Sequence, residues 1–142
     1  MSIKQISVFV ENRPGALTDV CAVFADNGIS MRALSLADTQ DFGILRVIVE
    51  NPDEALEILK KAGYTCKITH VIAVRLEDKP GGMAKVMKFI SDAGIGVEYA
   101  YAFLSSKPGC AYMVFRVAGS ESRHKLADMG LDIISEEELF GQ

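Results

Sequence analysis

Two short segments of the 142-residue chain hold the residue types best suited to grip a small charged molecule: Asn12-Arg13-Pro14-Gly15-Ala16-Leu17 and Asp78-Lys79-Pro80-Gly81-Gly82-Met83. Each places a polar and a cationic side chain before Pro-Gly and an apolar-periodic stretch after it. Proline is tolerated in a first helical turn, where its missing N–H has no partner to lose. Glycine lets the backbone approach a ligand closely. The helix N-terminus behind it presents free N–H groups and a partial positive charge, a natural seat for a carboxylate. Arg13 could add a charge-assisted bond, and Asn12 could accept from an α-ammonium. Taken singly, Pro-Gly after a strand is ordinary turn chemistry. Its recurrence gives it weight.

Other reactive side chains form no such constellation. Cys21, Cys66 and Cys110 are an odd number, far apart and without a CxxC pair; they read as buried, reduced, small apolar residues. His70 and His124 have no metal-ligand partner at useful spacing. Lys79 and the run Glu136-Glu137-Glu138 read as solvated charges. Met83, Met87 and Met129 read as helix-face packing, while Tyr99, Tyr101 and Phe103 either cover a helix or form an interface. With neither an acid–base pair nor a nucleophile and its base, an enzyme is disfavoured, and no metal or cofactor is expected.

The two segments belong to a repeat. Pro14 matches Pro80 at an offset of 66, and the same offset aligns Ile6, Val8, Glu11, Val20, Asp26, Gly28 and Ile29 with Ile72, Val74, Glu77, Val86, Asp92, Gly94 and Ile95. Gly43 falls opposite Gly109 in that register, and an offset of 67 then aligns Glu54, Leu59 and Gly63 with Glu121, Leu126 and Gly130. The chain is therefore a duplicated unit, with domains expected at residues 1–70 and 71–142.

Period gives the elements that position the segments. Ile6, Val8 and Val10 alternate as a strand does, and Leu17, Val20, Cys21, Phe24 and Ala25 recur as one helix face closed by Asn27-Gly28. Apolar stretches Ile29–Leu36 and Gly43–Val49 flank the polar loop 37–41, which has hairpin length. Asn51-Pro52-Asp53-Glu54 starts a second helix ended by Gly63, and a last strand Thr65–Val71 runs directly into Val71–Leu76. Strand–helix–strand–strand–helix–strand, twice, predicts an α+β fold of two ferredoxin-like βαββαβ units, antiparallel sheets with helices on one face. Units of this size bury a modest share of their surface, so the two are expected to pack as one body.

This arrangement hosts unrelated activities, so the residues must choose among them. Lys+Arg 15 against Asp+Glu 19 gives a net charge of −4 and no basic block, which argues against nucleic acid. The stretch GILRVIVE lacks aromatics for base stacking, and Tyr112 and Phe115 fall on opposite strand faces. The loops ENRPG and EDKPG hold no CxxC for a heavy-metal carrier and are too short to curl around phosphate. No apolar run reaches the length that spans a bilayer, and Glu11 interrupts the first one, so neither a membrane nor a secretory signal is expected and the cytoplasm is the default address.

Both copies resemble the ACT domain, a small-molecule-binding module of amino-acid metabolism. The likeness rests on a strand, a D/N-x-P-G-x-L-like segment, a helix ending in G-I and a second strand. Here these are Asn12 to Leu17 with Asn27-Gly28-Ile29-Ser30, and Asp78 to Met83 with Ala93-Gly94-Ile95-Gly96. The second copy departs at Gly82, Met83 and Gly96, which ranks it below the first as a ligand site. The resemblance implies a ligand between the Pro-Gly loop and the second strand of an adjacent unit. That adds Met31 and Arg32, or Val97 and Glu98, as walls; that Glu98 pairs with an ammonium is our own expectation, separate from the resemblance. It implies a non-catalytic sensor of a free amino acid, with apolar walls at Leu17, Met31 and Met83 favouring an uncharged or aromatic side chain. A homodimer and an enzyme of amino-acid metabolism are the implied partners. The alternative is a structural dimerisation module without a ligand.

Overall fold

The computed structural model describes residues 2–38, 41–104 and 108–141. The chain divides into two compact units, one of Lys4–Thr69 and one of His70–Gln142 together with Met1–Ile3.

In the first unit, β1 (Ile3–Glu11), α1 (Ala16–Asp26), β2 (Ala33–Asp38), β3 (Phe42–Ile48) and α2 (Pro52–Lys61) are followed by the opening of β4 (Cys66–Glu77). Strand β3 pairs antiparallel with β1 through Val8 and Leu45 and with β2 through Leu36 and Leu45. Strand β1 also pairs with β4, and just before β4 begins the Thr65 carbonyl accepts from the Phe9 N–H at 2.9 Å. Alternation sends Ile6, Val8 and Val10 to one side, against Val20 and Phe24 of α1 and Ala55 and Leu59 of α2, all buried. Pro52 opens α2, with Asp53 and Glu54 at its positive end and Lys60 and Lys61 at its negative end, which favours a helix at this place.

The second unit takes the rest of β4, then α3 (Gly82–Asp92), β5 (Val97–Phe103), β6 (Cys110–Val117), α4 (Ser122–Asp128), β7 (Ile133–Ile134) and α5 (Glu136–Phe140). Within it the strands lie in the order β5-β6-β4-β7, every pair antiparallel. Ile72, Val74, Phe115 and Val117 pack with Val86 and Ile90 of α3 and Leu126 of α4. Lys125 donates to the Ala93 carbonyl at 2.6 Å, satisfying an acceptor at the end of α3.

Several expectations are corrected. Strand β2 starts at Ala33 rather than Ile29, because the Ile29 N–H folds back to the Phe24 carbonyl at 2.9 Å to close α1. Thr39 and Gln40 of the hairpin loop lie outside the described residues. Gly43 is not the counterpart of Gly109: Val10 pairs with Gly43, whereas its counterpart Leu76 pairs with Ala111, an offset of 68. Met129 caps the end of α4 and is 46% exposed. Glu136, Glu137 and Glu138 form the first turn of α5, where the Ser135 hydroxyl accepts from the Glu138 N–H at 3.2 Å. That helix also departs from the expected one-sided layer. Phe103 and Arg75 share the sheet face opposite the α3–α4 core, and α5 meets that face through Phe140, 6.2 Å from the Phe103 ring, and an ion pair of Glu138 with Arg75. Tyr99, Tyr101 and Phe103 thus lie on the face that carries a short helix. The three cysteines are half-buried rather than buried, and burial pushes the Cys66 thiol up.

Candidate functional site

The two Pro-Gly segments fold into the same turn. In the first, the Asn12 N–H donates to the Asp41 carbonyl at 3.2 Å, Ala16 to the Arg13 carbonyl, and Asp19 to the Gly15 carbonyl at 2.9 Å. In the second, Asp78 donates to Gly109, Gly82 to Lys79 and Lys85 to Gly81. Gly15 (φ 85°) and Gly81 (φ 89°) are left-handed and cap α1 and α3. A side chain at either place would cost about 1–2 kcal/mol in backbone strain.

Each turn opens on a groove of its own unit, formed by the end of a strand, the helix N-terminus and the turn after the following helix. The first encloses about 250 Å³ among Phe9, Glu11, Arg13, Ala16, Phe42 and Tyr64. The second encloses about 510 Å³ among Arg75, Glu77, Gly82, Lys85, Phe89, Leu131 and Asp132. Tyr64 stands where the second groove has Leu131, and Phe9 where it has Arg75. The second groove is the roomier of the two.

Charge separates them further. Arg13 donates through Nε to Glu11 at 2.8 Å and through Nη2 to Asp19 at 3.1 Å, and those bonds, to Asp19 first, hold its pKa up. The positive end of α1 is thus answered by its own Asp19. At the equivalent position α3 carries Lys85, and its first turn holds no acid. Lys79 pairs with Glu77 at 2.7 Å. Arg75 reaches Asp132 at 3.7 Å as well as Glu138, with its guanidinium 5.9 Å from the Tyr112 ring centre. The second groove therefore presents both cations and carboxylates around an apolar floor of Val86, Phe89 and Leu131.

The hydrogen bond from Lys79 lowers the Glu77 pKa below the ordinary carboxylate range. Its contribution to stability is present above the unfolded pKa and is lost as pH falls through the lower folded value. A side-chain NMR titration should find Glu77 titrating low, and Lys79→Gln should move its midpoint upward; an unchanged midpoint would contradict the pairing.

Asn12, Arg13, Pro14, Gly15, Ala16 and Leu17 gather at one end of α1, and Asp78, Gly81, Gly82 and Met83 at the corresponding end of α3. The other four predicted residues lie elsewhere in their own units. Met31 and Arg32 follow the far end of α1, an 11-residue helix about 16 Å long. Met31 packs against the first core, and Arg32 pairs with Glu50 at 2.9 Å. Val97 and Glu98 likewise follow the far end of α3, Val97 on the second core and Glu98 beside Arg116 at 3.6 Å. Arg75, Lys85, Phe89, Leu131 and Asp132 were missed. The 66-residue register already set Asp19 against Lys85 and Phe9 against Arg75, and that exchange was the available signal.

Residues 1–141 match the family described as an ACT domain pair. A Bacteroides thetaiotaomicron protein of known crystal structure is similar at 36% identity and a TM-score of 0.88, covering 100% of this chain and 98% of that one. The ligand-free regulatory subunit of aspartate kinase from Thermus thermophilus is similar in fold at 16% identity and a TM-score of 0.62, covering 89% of each chain. The corresponding subunit from Thermus flavus gives 16% and 0.61, covering 96% of this chain and 92% of that one. No curated protein matches the chain. No helix among the described residues is long and apolar enough to cross a membrane, and among them no three His, Cys, Asp or Glu groups gather as a metal site.

Proposed function

The chain belongs to the family of paired ACT domains, and on that premise we propose that it is a non-catalytic regulatory protein that takes up a free amino acid. The observation that carries the reading is the second groove, where an unacidified helix N-terminus, cations, carboxylates and an apolar floor converge in about 510 Å³. An α-carboxylate fits against the N-terminus of α3 beside Lys85, an α-ammonium beside Glu77 or Asp132, and an uncharged or aromatic side chain on Phe89 and Leu131. The sequence ranked the first copy higher; its smaller groove and self-paired Arg13 favour the second. Binding acts by population shift, limited by the ligand's differential affinity for two arrangements of the chain. A homodimer acting on an enzyme of amino-acid metabolism, in the cytoplasm, completes the proposal.

The test is thermal unfolding of the full chain against each proteinogenic amino acid. At a hundredfold excess over Kd a true ligand adds about 2.7 kcal/mol of stability. Lys85→Asp, which installs the first copy's residue, should abolish the gain. If no amino acid shifts the midpoint, the sensor reading fails. A second reading, an interaction module without ligand, draws on Leu34 and Leu36. They lie across from the core residues Val47 and Leu45 yet are 46% and 48% exposed, an apolar strip suited to a partner surface.

A further inference from the structure

A second cavity, of about 310 Å³, lies at the other end of the second unit's sheet, among Ser2, His70, Arg116, Gly119, Ser120 and Arg123. His70 and Glu77 mark opposite ends of this unit's part of β4, about 20 Å apart. The cavity therefore stands apart from the groove at the Pro-Gly turn, and nothing in the amino-acid reading uses it. Arg123 Nε is out of solvent and has no hydrogen-bond partner. Arg116 donates to the His70 carbonyl at 2.7 Å and stands 3.6 Å from Glu98. Ser2 and His70 are joined through Ser2 Oγ and His70 Nδ1 at 3.2 Å.

The first unit supplies an internal comparison. At the equivalent positions it has Lys4 for His70, Ile48 for Arg116, Asp53 for Ser120 and Leu56 for Arg123. There Lys4 and Asp53 neutralise one another at 2.9 Å. The second unit has lost that acid, gained two arginines and placed a hydroxyl where the carboxylate stood. Arginine presents forked donors matched to phosphate oxygens, and a buried N–H without a partner is costly until an acceptor arrives. We propose that this cavity binds a phosphoryl dianion, held by Arg123 and Arg116 with the Ser120 hydroxyl as a further donor.

The full chain is titrated calorimetrically with inorganic phosphate and with glycerol 3-phosphate, at ionic strength fixed with chloride. The expected result is saturable binding with Kd of about 1 mM or tighter. Arg123→Leu and Ser120→Asp, which install the first unit's residues, should each weaken it about tenfold or more. A monoester that binds tighter than inorganic phosphate assigns the cavity to a phosphorylated metabolite, and the reverse assigns it to the free anion. Ser120 is exposed, so Ser120→Asp keeps the test alive if Arg123→Leu fails to fold. Absence of saturation with both ligands, or affinity unchanged in the folded variants, would overturn the proposal.

Discussion

Gly82→Ala is expected to destabilise the chain by about 3 kcal/mol, at the upper end of what overpacking usually costs. Gly82 opens α3 with its backbone against the end of β4. A methyl group there would fall far inside van der Waals contact with the Glu77 carbonyl oxygen, 3.1 Å from the carbonyl carbon and 3.5 Å from Leu76 Cδ1. The obstacle is main chain and cannot swing aside. Helix propensity alone argues the other way, since alanine is favoured over glycine by about 1 kcal/mol in a helix, so the sign of the change measures the contact. The first unit accommodates Ala16 at the equivalent position, 7% exposed, and Ala16→Gly there should cost no more than about 1 kcal/mol. Urea unfolding of both variants checks the pair. A Gly82→Ala protein as stable as the parent would mean that α3 can retreat from β4, and the groove would have no fixed wall.

Gly82 also illustrates what the sequence could and could not convey. Read against a family pattern, it looks like a defect in the second copy; in three dimensions it is the residue that lets α3 close on β4. Duplication made most of the elements legible, because Ile6 with Ile72 and Leu59 with Leu126 repeat the same burial. The departures arose where local geometry overrides pattern. Ile29 and Met31 are apolar because they pack on the core from the connection after α1, and alternation cannot tell that from a strand. The five residues of α5 are too few for a helical period to emerge. The turn segments were legible from residue type alone. The groove was not, because Leu131 and Asp132 reach it from fifty positions away in sequence, and no local spacing announces that meeting.

Leu126→Ala should cost about 3–4 kcal/mol, within the range of buried leucine truncations that leave a cavity. The side chain is fully buried among Ile72, Phe115 and Ile133 of the second core. Its helix has few other supports. α4 is 7 residues long, lacks an acid in its first turn, and buries Ser122 and Leu126 alone, and so short a helix depends on packing rather than on propensity. The Leu126 carbonyl accepts from the Leu131 N–H at 3.0 Å, tying this anchor to the turn that walls the larger groove. Leu59, its counterpart, is equally buried but sits in a 10-residue helix with acids at its start and lysines at its end. The two truncations should therefore lose similar stability in urea, while Leu126→Ala alone should also raise hydrogen exchange at Leu131 and Asp132. Leu126→Met, which nearly conserves volume, should lose less than about 1.5 kcal/mol and leave those amides protected. If Leu126→Ala costs under about 1 kcal/mol, or its exchange at Leu131 stays at the parent's level, then α4 is not what holds the groove in shape, and the wall must owe its position to the Arg75–Asp132 contact instead.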